Sequence, residues 1–221
     1  LPATLQEVAR FVKAQKYLTE ILIVENASTD GTYELAMKIC ENVSQARVLR
    51  EPVKGKGQAV KRGMLAARGE YCLIFDADLA MPVKEIPKFI PPRLNNCDIA
   101  IASREVSGAR RYGEPLYRHL IGRGFNFLVR ILVLPGLQDT QCGYKCFSSR
   151  VIKPLFERQI MTGWAFDVEL LAIARQLNYS IREVPIECHY GPHSRVRIFV
   201  DAPKMFADLI KIRSNLRKGI Y

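Results

Sequence analysis

The sequence predicts an α/β fold, a mostly parallel sheet wrapped by helices on both faces, and three observations carry that expectation. Short β-branched runs alternate with longer segments of helical period along the whole chain. Polar clusters close the runs: Glu25-Asn26 after the first, Asp76-Ala77-Asp78 after the third and Ser103-Arg104 after the fourth. Ligands of open α/β sheets bind beyond the carboxyl ends of the strands, so topology and chemistry agree. The 221 residues are 48% hydrophobic and hold no internal repeat, low-complexity tract or dividing linker, which predicts a single domain over residues 1–221.

Each element follows from local pattern. Leu1–Tyr17 has a helical period, and Glu20–Glu25 (EILIVE) reads as a strand closed by the turn-rich Asn26–Gly31. A helix is expected over Thr32–Asn42, a strand at Arg47–Arg50, and a second helix over Gln58–Ala67 after the glycine-rich Val53–Gly57. Tyr71–Asp76 is an apolar strand that ends in carboxylates, and Asp98–Ser103 (DIAIAS) is a further strand. Tyr117–Leu134 reads as a long amphipathic helix. Gly143–Ser148, a helix over Ala165–Leu177, a strand at Ile181–Glu187 and a helix over Ala202–Arg217 complete the pattern.

Composition excludes a collagen, a coiled coil and a disordered chain. Thirty-three Lys and Arg against 22 Asp and Glu give +11, a balance that favours polyanionic partners: nucleic acid, phosphorylated substrates or an anionic membrane surface. The six cysteines are spread through a chain long enough to build its own core, so reduced, core-packed thiols in a cytosolic compartment are expected. No run of about 20 apolar residues is present, since Gly124–Leu137 is broken by Arg130 and Pro135. Leu1–Tyr17 lacks a signal-peptide pattern, and the opening Leu leaves an upstream segment to be expected.

Three constellations carry chemistry. Phe75-Asp76-Ala77-Asp78 places two carboxylates at a strand end, where alternation would turn both toward one Mg²⁺ or Mn²⁺ and its phosphates; a helix cap or plain turn is the structural alternative. Lys54-Gly55-Lys56-Gly57 leads into a helix N-terminus, which suits a phosphate, or serves as a basic surface turn. It matches neither G-x-x-x-x-G-K-[ST] nor G-x-G-x-x-G. Arg104, Arg110, Arg111, Arg118, Arg123 and Arg130 crowd one stretch, with Arg195 and Arg197 later. Arginine forks suit phosphate recognition; Arg110, Arg111 and Arg130 read better as a solvated basic face.

Six motifs in order, VENASTDGT (Val24–Thr32), KGKGQAVKRGM (Lys54–Met64), DADLAMP (Asp76–Pro82), ASR (Ala102–Arg104), DTQCGYKCF (Asp139–Phe147) and GWAFDVELL (Gly163–Leu171), together resemble the family 2 glycosyltransferases that charge polyprenyl phosphates. The last two look most like the dolichyl-phosphate glucosyltransferase branch, with the mannose synthases next. The resemblance implies a GT-A fold, a nucleotide-diphosphate sugar donor (UDP-glucose, then GDP-mannose), a polyprenyl phosphate acceptor and a divalent metal. It implies that Asp76 contacts nucleotide and metal, that Asp78 holds the metal on the diphosphate, and that Glu25 reads the base or ribose, with Lys56 and Gly57 at the donor. Arg104, Arg118, Ser194 and Arg195 fall where the family holds the acceptor phosphate, and Asp139 is the carboxylate expected to orient sugar hydroxyls or the attacking group. Departures are clear. The family's opening strand with its P-x-Y-N-E motif is absent, Glu25-Asn26 replaces the commoner Asp-Asp, and Gly122 replaces a serine. Ala80 stands where mannose synthases carry a metal-binding Gln, which favours glucose.

The chemistry is coherent without a general base, because a phosphate monoester with a second pKa of about 6 is largely dianionic at neutral pH. Metal serves the leaving diphosphate, arginines neutralise the acceptor, and the protein positions the two anions. Asp167 is expected at the edge of the site, with Glu169 off its helical face. Trp164 reads as a sugar platform or a core anchor. A basic nucleic-acid-binding module would explain the charge but not the carboxylates, so no nucleic acid is expected; a non-catalytic sugar-nucleotide binder is a third reading. A lipid acceptor predicts a peripheral protein at the cytosolic face of a membrane, through the basic amphipathic helices Tyr117–Leu134 and Ala202–Arg217 or not at all if both apolar faces pack on the sheet.

Overall fold

The computed structural model describes residues 2–78, 80–190 and 198–221. Helix α1 (Pro2–Lys13) leads into strand β1 (Ile21–Asn26), helix α2 (Thr32–Cys40), strand β2 (Ala46–Glu51) and helix α3 (Lys56–Ala66). Strand β3 (Tyr71–Ile74) is followed by a 3-10 helix at Val83–Phe89, strands β4 (Ile99–Ser103) and β5 (Arg110–Tyr112), and helix α4 (Leu116–Leu132). Strand β6 (Lys145–Ser148), helices α5 (Ser149–Arg158) and α6 (Phe166–Gln176), strands β7 (Ile181–Pro185) and β8 (Glu187–His189), and helix α7 (Ile198–Lys218) complete the order.

The four-stranded sheet has the order β3-β6-β4-β7, with β6 antiparallel to both neighbours and β4 parallel to β7. Strands β3 and β4 therefore point the same way, and their carboxyl ends, with Asp76 and Arg104, open at one edge. The parallel pairs β1-β2 and β5-β8 form two further sheets. Under the main sheet α5 and α6 bury Val151, Leu155, Phe156, Val168, Leu171 and Ile173 against Ile99, Ile101 and Phe147. The six cysteines are free thiols, four of them buried.

Several elements differ from the sequence pattern. The strand expected to reach Asp76 stops at Ile74, where pairing with Lys145 ends, so the two carboxylates lie in a turn and not on alternating strand positions. Helix α5 runs unbroken through Pro154, a residue that reads as a helix breaker in sequence, and its apolar face packs against α3 and α6. Segment Ile181–Glu187 breaks after Pro185 into two strands that belong to different sheets.

The two basic amphipathic helices part company. Leu209 and Ile212 of α7 are fully buried in the core, while Phe206 and Ile210 are exposed. In α4 the apolar stripe faces outward: Leu116 is 80% exposed, Leu120 67%, Phe127 59% and Ile131 60%, while Asn126 and Val129 on the opposite side are buried. No helix among the described residues is long and apolar enough to cross a membrane.

Candidate active site

Asp76 and Asp78, the two carboxylates expected at a metal, sit in the turn after β3. Asp78 is exposed, and its Oδ1 accepts a hydrogen bond from Ala80 N at 3.0 Å. The Asp76 carboxylate meets the Lys56 ammonium at 2.9 Å and lies directly over Gly143. A Cβ at Gly143 would stand 1.9 Å from Asp76 Oδ2, so only glycine leaves the carboxylate its place. From the other side, the Thr4 hydroxyl of α1 donates to Ala77 O at 2.7 Å and ties the turn down. Among the described residues no group of three or more His, Cys, Asp or Glu gathers as a metal cage. Two carboxylates in an open turn nevertheless fit a hard divalent cation that completes its shell with substrate phosphates and water.

Lys56 stands at the start of α3, beside Asp76 and 5.3 Å from the Trp164 ring centre. Burial works against its charge, but Asp76 and Asp167 outweigh that and raise its pKa above the ordinary lysine value. Trp164 is thus neither a core anchor nor remote; it is half-buried at the edge of the site. Gly57 does something other than expected. Gly57 N and Gln58 N both point to Thr162 O, at 2.8 and 3.3 Å, so the amides of this helix start serve the protein and are not left for a phosphate. Gly55, at φ +151°, and Gly57 are needed because a Cβ on either would strike the Met161–Thr162 backbone, at 2.4 Å for Gly55 and 2.7 Å for Gly57. Asn26 joins this loop to β1: its amide donates to Val53 O and its Oδ1 accepts from Gly55 N at 2.7 Å.

Glu25, next to last in β1, has a fully buried side chain. Its Oε1 accepts from Ser28 N at 2.5 Å, while Oε2 lies 3.6 Å from Arg50 Nε and has no hydrogen-bond partner among the described residues. A buried carboxylate oxygen without a hydrogen bond is costly even beside an arginine, and a ligand N–H is the kind of group that would satisfy it.

The arginines gather around Tyr190. Arg104 Nη1 donates to its hydroxyl at 3.0 Å, and the Arg118 guanidinium sits 5.2 Å from its ring centre. Arg111, expected in a solvated face, is instead half-buried between Glu105 and Glu114 and donates to Arg104 O. Ser194 and Arg195 lie outside the described residues.

Asp139 departs from its expected role in substrate contact. It is completely buried, and its two oxygens take Arg104 Nε at 2.7 Å, Nη2 at 3.0 Å and the Arg104 amide at 2.9 Å. Burial alone would raise its pKa, yet Arg104 holds the carboxyl below the usual aspartate value. Its place is beneath the arginine it orients. The rest of DTQCGYKCF forms the floor of the site: Gly143 under Asp76, Tyr144 donating to Met81 O at 2.6 Å, and Lys145 paired with Asp167 at 2.7 Å. Thr4, Gly143, Lys145 and Tyr190 were not singled out from sequence. Of these only Lys145 carried a signal, as a lone cation inside an apolar run.

An α/β sheet with an acidic turn after one strand and an arginine paired to a buried carboxylate after another suits a substrate that carries phosphates. A glycosyl transferase family 2 model matches residues 2–156, and the chain belongs to that family. It is 32% identical to the dolichyl-phosphate beta-glucosyltransferase of Dictyostelium discoideum over all of this chain and 72% of the relative. Identity to the Saccharomyces cerevisiae enzyme of the same name is 34%, over 91% of this chain and 66% of the relative. The chain therefore spans about two thirds to three quarters of these relatives' length. Its fold is shared with glucosyl-3-phosphoglycerate synthase from Mycobacterium tuberculosis, solved with Mn²⁺, UDP-glucose and phosphoglyceric acid: TM-score 0.66 at 19% identity, over 96% of this chain and 76% of that one.

Proposed function

We propose that this chain transfers glucose, with inversion, from UDP-glucose to a polyprenyl phosphate of the dolichyl class, using Mg²⁺ or Mn²⁺. The observation that carries the reading is the placement of the Asp76–Asp78 turn with Lys56 at one strand end and of Arg104 and Arg118 around Tyr190 at the other. One end suits a metal diphosphate and the other an anionic acceptor. Asp78 and Asp76 would hold the metal, which acts as a Lewis acid on the departing diphosphate. Lys56 adds a fixed positive charge beside it, and Glu25 Oε2 offers an acceptor to the base or ribose. Arg118, with Arg104 held by Asp139, screens the acceptor phosphate so that its oxygen approaches the anomeric carbon in line. The likeness to dolichyl-phosphate beta-glucosyltransferases supports glucose and a dolichyl acceptor. A screen of UDP-glucose and GDP-mannose against polyprenyl phosphate tests the proposal: UDP-glucose should give the lipid-linked product, and no product with any donor would refute it.

Gly143→Ala should weaken binding of Mn²⁺ with UDP by about tenfold or more, a loss of about 1.4 kcal/mol, because its Cβ displaces Asp76. Calorimetric titration checks this; unchanged affinity would remove Asp76 from the donor site.

A lipid acceptor also requires contact with a membrane surface, and the outward stripe of α4 supports a peripheral position on one; the cytosolic face is part of the proposal. Arg123 and Arg130 are exposed and flank the apolar residues, a combination suited to anionic lipid. Leu120→Asp with Phe127→Asp should abolish co-sedimentation with anionic vesicles without unfolding the protein. Added salt should weaken the parent's binding.

A further inference from the structure

The buried ion pair between Lys145 and Asp167 is not explained by the roles above. Lys145 on β6 has no exposed surface; its ammonium meets Asp167 Oδ1 at 2.7 Å and donates to Cys142 O at 2.5 Å. Placing two ions in a protein interior carries a heavy desolvation cost, and packed apolar residues often stabilise a fold as well or better. Its location is informative. Asp167 lies in the first turn of α6, and its neighbour Phe166 is in contact with the start of α3: a Cβ at Gly57 would lie 2.7 Å from Phe166 Cβ. The hydrogen bonds from Gly57 N and Gln58 N to Thr162 O lock the two segments together. Lys56 meets Asp76 at 2.9 Å, and the packing of Phe166 against Gly57 brings the next residue, Asp167, near enough for its charge to act on the ammonium. Charges alternate from the core to the donor turn: Lys145, Asp167, Lys56, Asp76.

We propose that Asp167, ion-paired to Lys145, is a positioning residue that works through Lys56 on the Asp76 carboxylate of the donor site, an inference that rests on the donor reading given above. A divalent cation arriving at Asp76 repels the Lys56 ammonium. With Asp167 near it, the ammonium keeps a partner and stays beside the diphosphate. Without Asp167, Lys56 either competes with the metal for Asp76 or swings into solvent.

A double-mutant cycle on binding of Mn²⁺ with UDP, read by calorimetry, tests this. Asp167→Asn should weaken binding about three- to tenfold in the parent protein and have little further effect in the Lys56→Met background. Equal losses in both backgrounds, or no loss in the parent, would overturn the proposal. Asp167→Asn strands a buried ammonium, so Asp167→Asn with Lys145→Met, which removes both charges, is measured beside it with a melting curve for each. A folded double variant should still bind weakly; recovery of parental affinity would show a purely structural pair and overturn the proposal. Failure of both variants to fold would do the same. If the unaltered protein does not bind Mn²⁺ with UDP, the donor reading itself fails, an outcome separate from additivity in a protein that does bind.

Discussion

Asp78→Ala is expected to lower turnover at least about a thousandfold, close to 4 kcal/mol of transition-state stabilisation, while leaving the melting temperature nearly unchanged. The asymmetry follows from placement. Asp78 is exposed in the turn after β3, and its only hydrogen bond among those described is local, from Ala80 N. Surface substitutions of that kind usually alter stability by no more than about 0.5 kcal/mol. The metal it is proposed to hold stabilises charge on the leaving diphosphate, a contribution of several kcal/mol that no neighbouring cation reproduces. Lys56 is a single charge already shared with Asp76. Excess chelator should silence the unaltered protein to the same degree, and Mn²⁺ or Mg²⁺ should restore it. Turnover that survives excess chelator would exclude the metal role, and an Asp78→Ala protein that melts early would locate Asp78 in the fold and not in the chemistry.

How much of this was legible in the sequence depends on whether a residue acts through pattern or through contact. Strands β1, β2, β3 and β4 and helices α2, α3, α4 and α6 were readable because period and turn residues act locally. Helix α5 was not, since Pro154 masks a face that only packing against α6 reveals. Asp76 and Asp78 stand out in the sequence because they follow a strand, but alternation along that strand does not place them, because pairing ends at Ile74. Gly57 shows the same limit. A glycine before a helix suggests a phosphate cradle, yet the carbonyl that takes its amide comes from Thr162, a hundred residues away in sequence and invisible to local reading. Lys145 and Gly143 act on Asp167 and Asp76 across the sheet, so their roles exist only once the strands are ordered.

Asp139 yields the largest expected effect on stability. Its carboxylate is wholly buried, accepts three hydrogen bonds from Arg104, and is set in place by its own amide, which donates to Glu183 Oε1 at 3.0 Å. Asp139→Asn leaves Arg104, largely buried itself, without a counter-ion, and breaking such a pair costs about 3–5 kcal/mol. The same substitution should weaken acceptor use in the protein that still folds, since Arg104 then loses the orientation that brings it to Tyr190. Proton linkage gives an independent check. The folded-state pKa of Asp139 is lowered, so the unfolded chain binds its proton first, at about pH 3.9. Its contribution to stability is therefore complete above that pH and is lost as the pH falls through the lower, folded value. Arg104 stays charged throughout. Urea unfolding at neutral pH should show the full gap between parent and Asp139→Asn, and the gap should narrow as the pH drops below about 4. A gap that stays constant into acid would mean that the ionised carboxylate is not what holds Arg104, and an Asn variant as stable as the parent at neutral pH would refute the pair's structural weight.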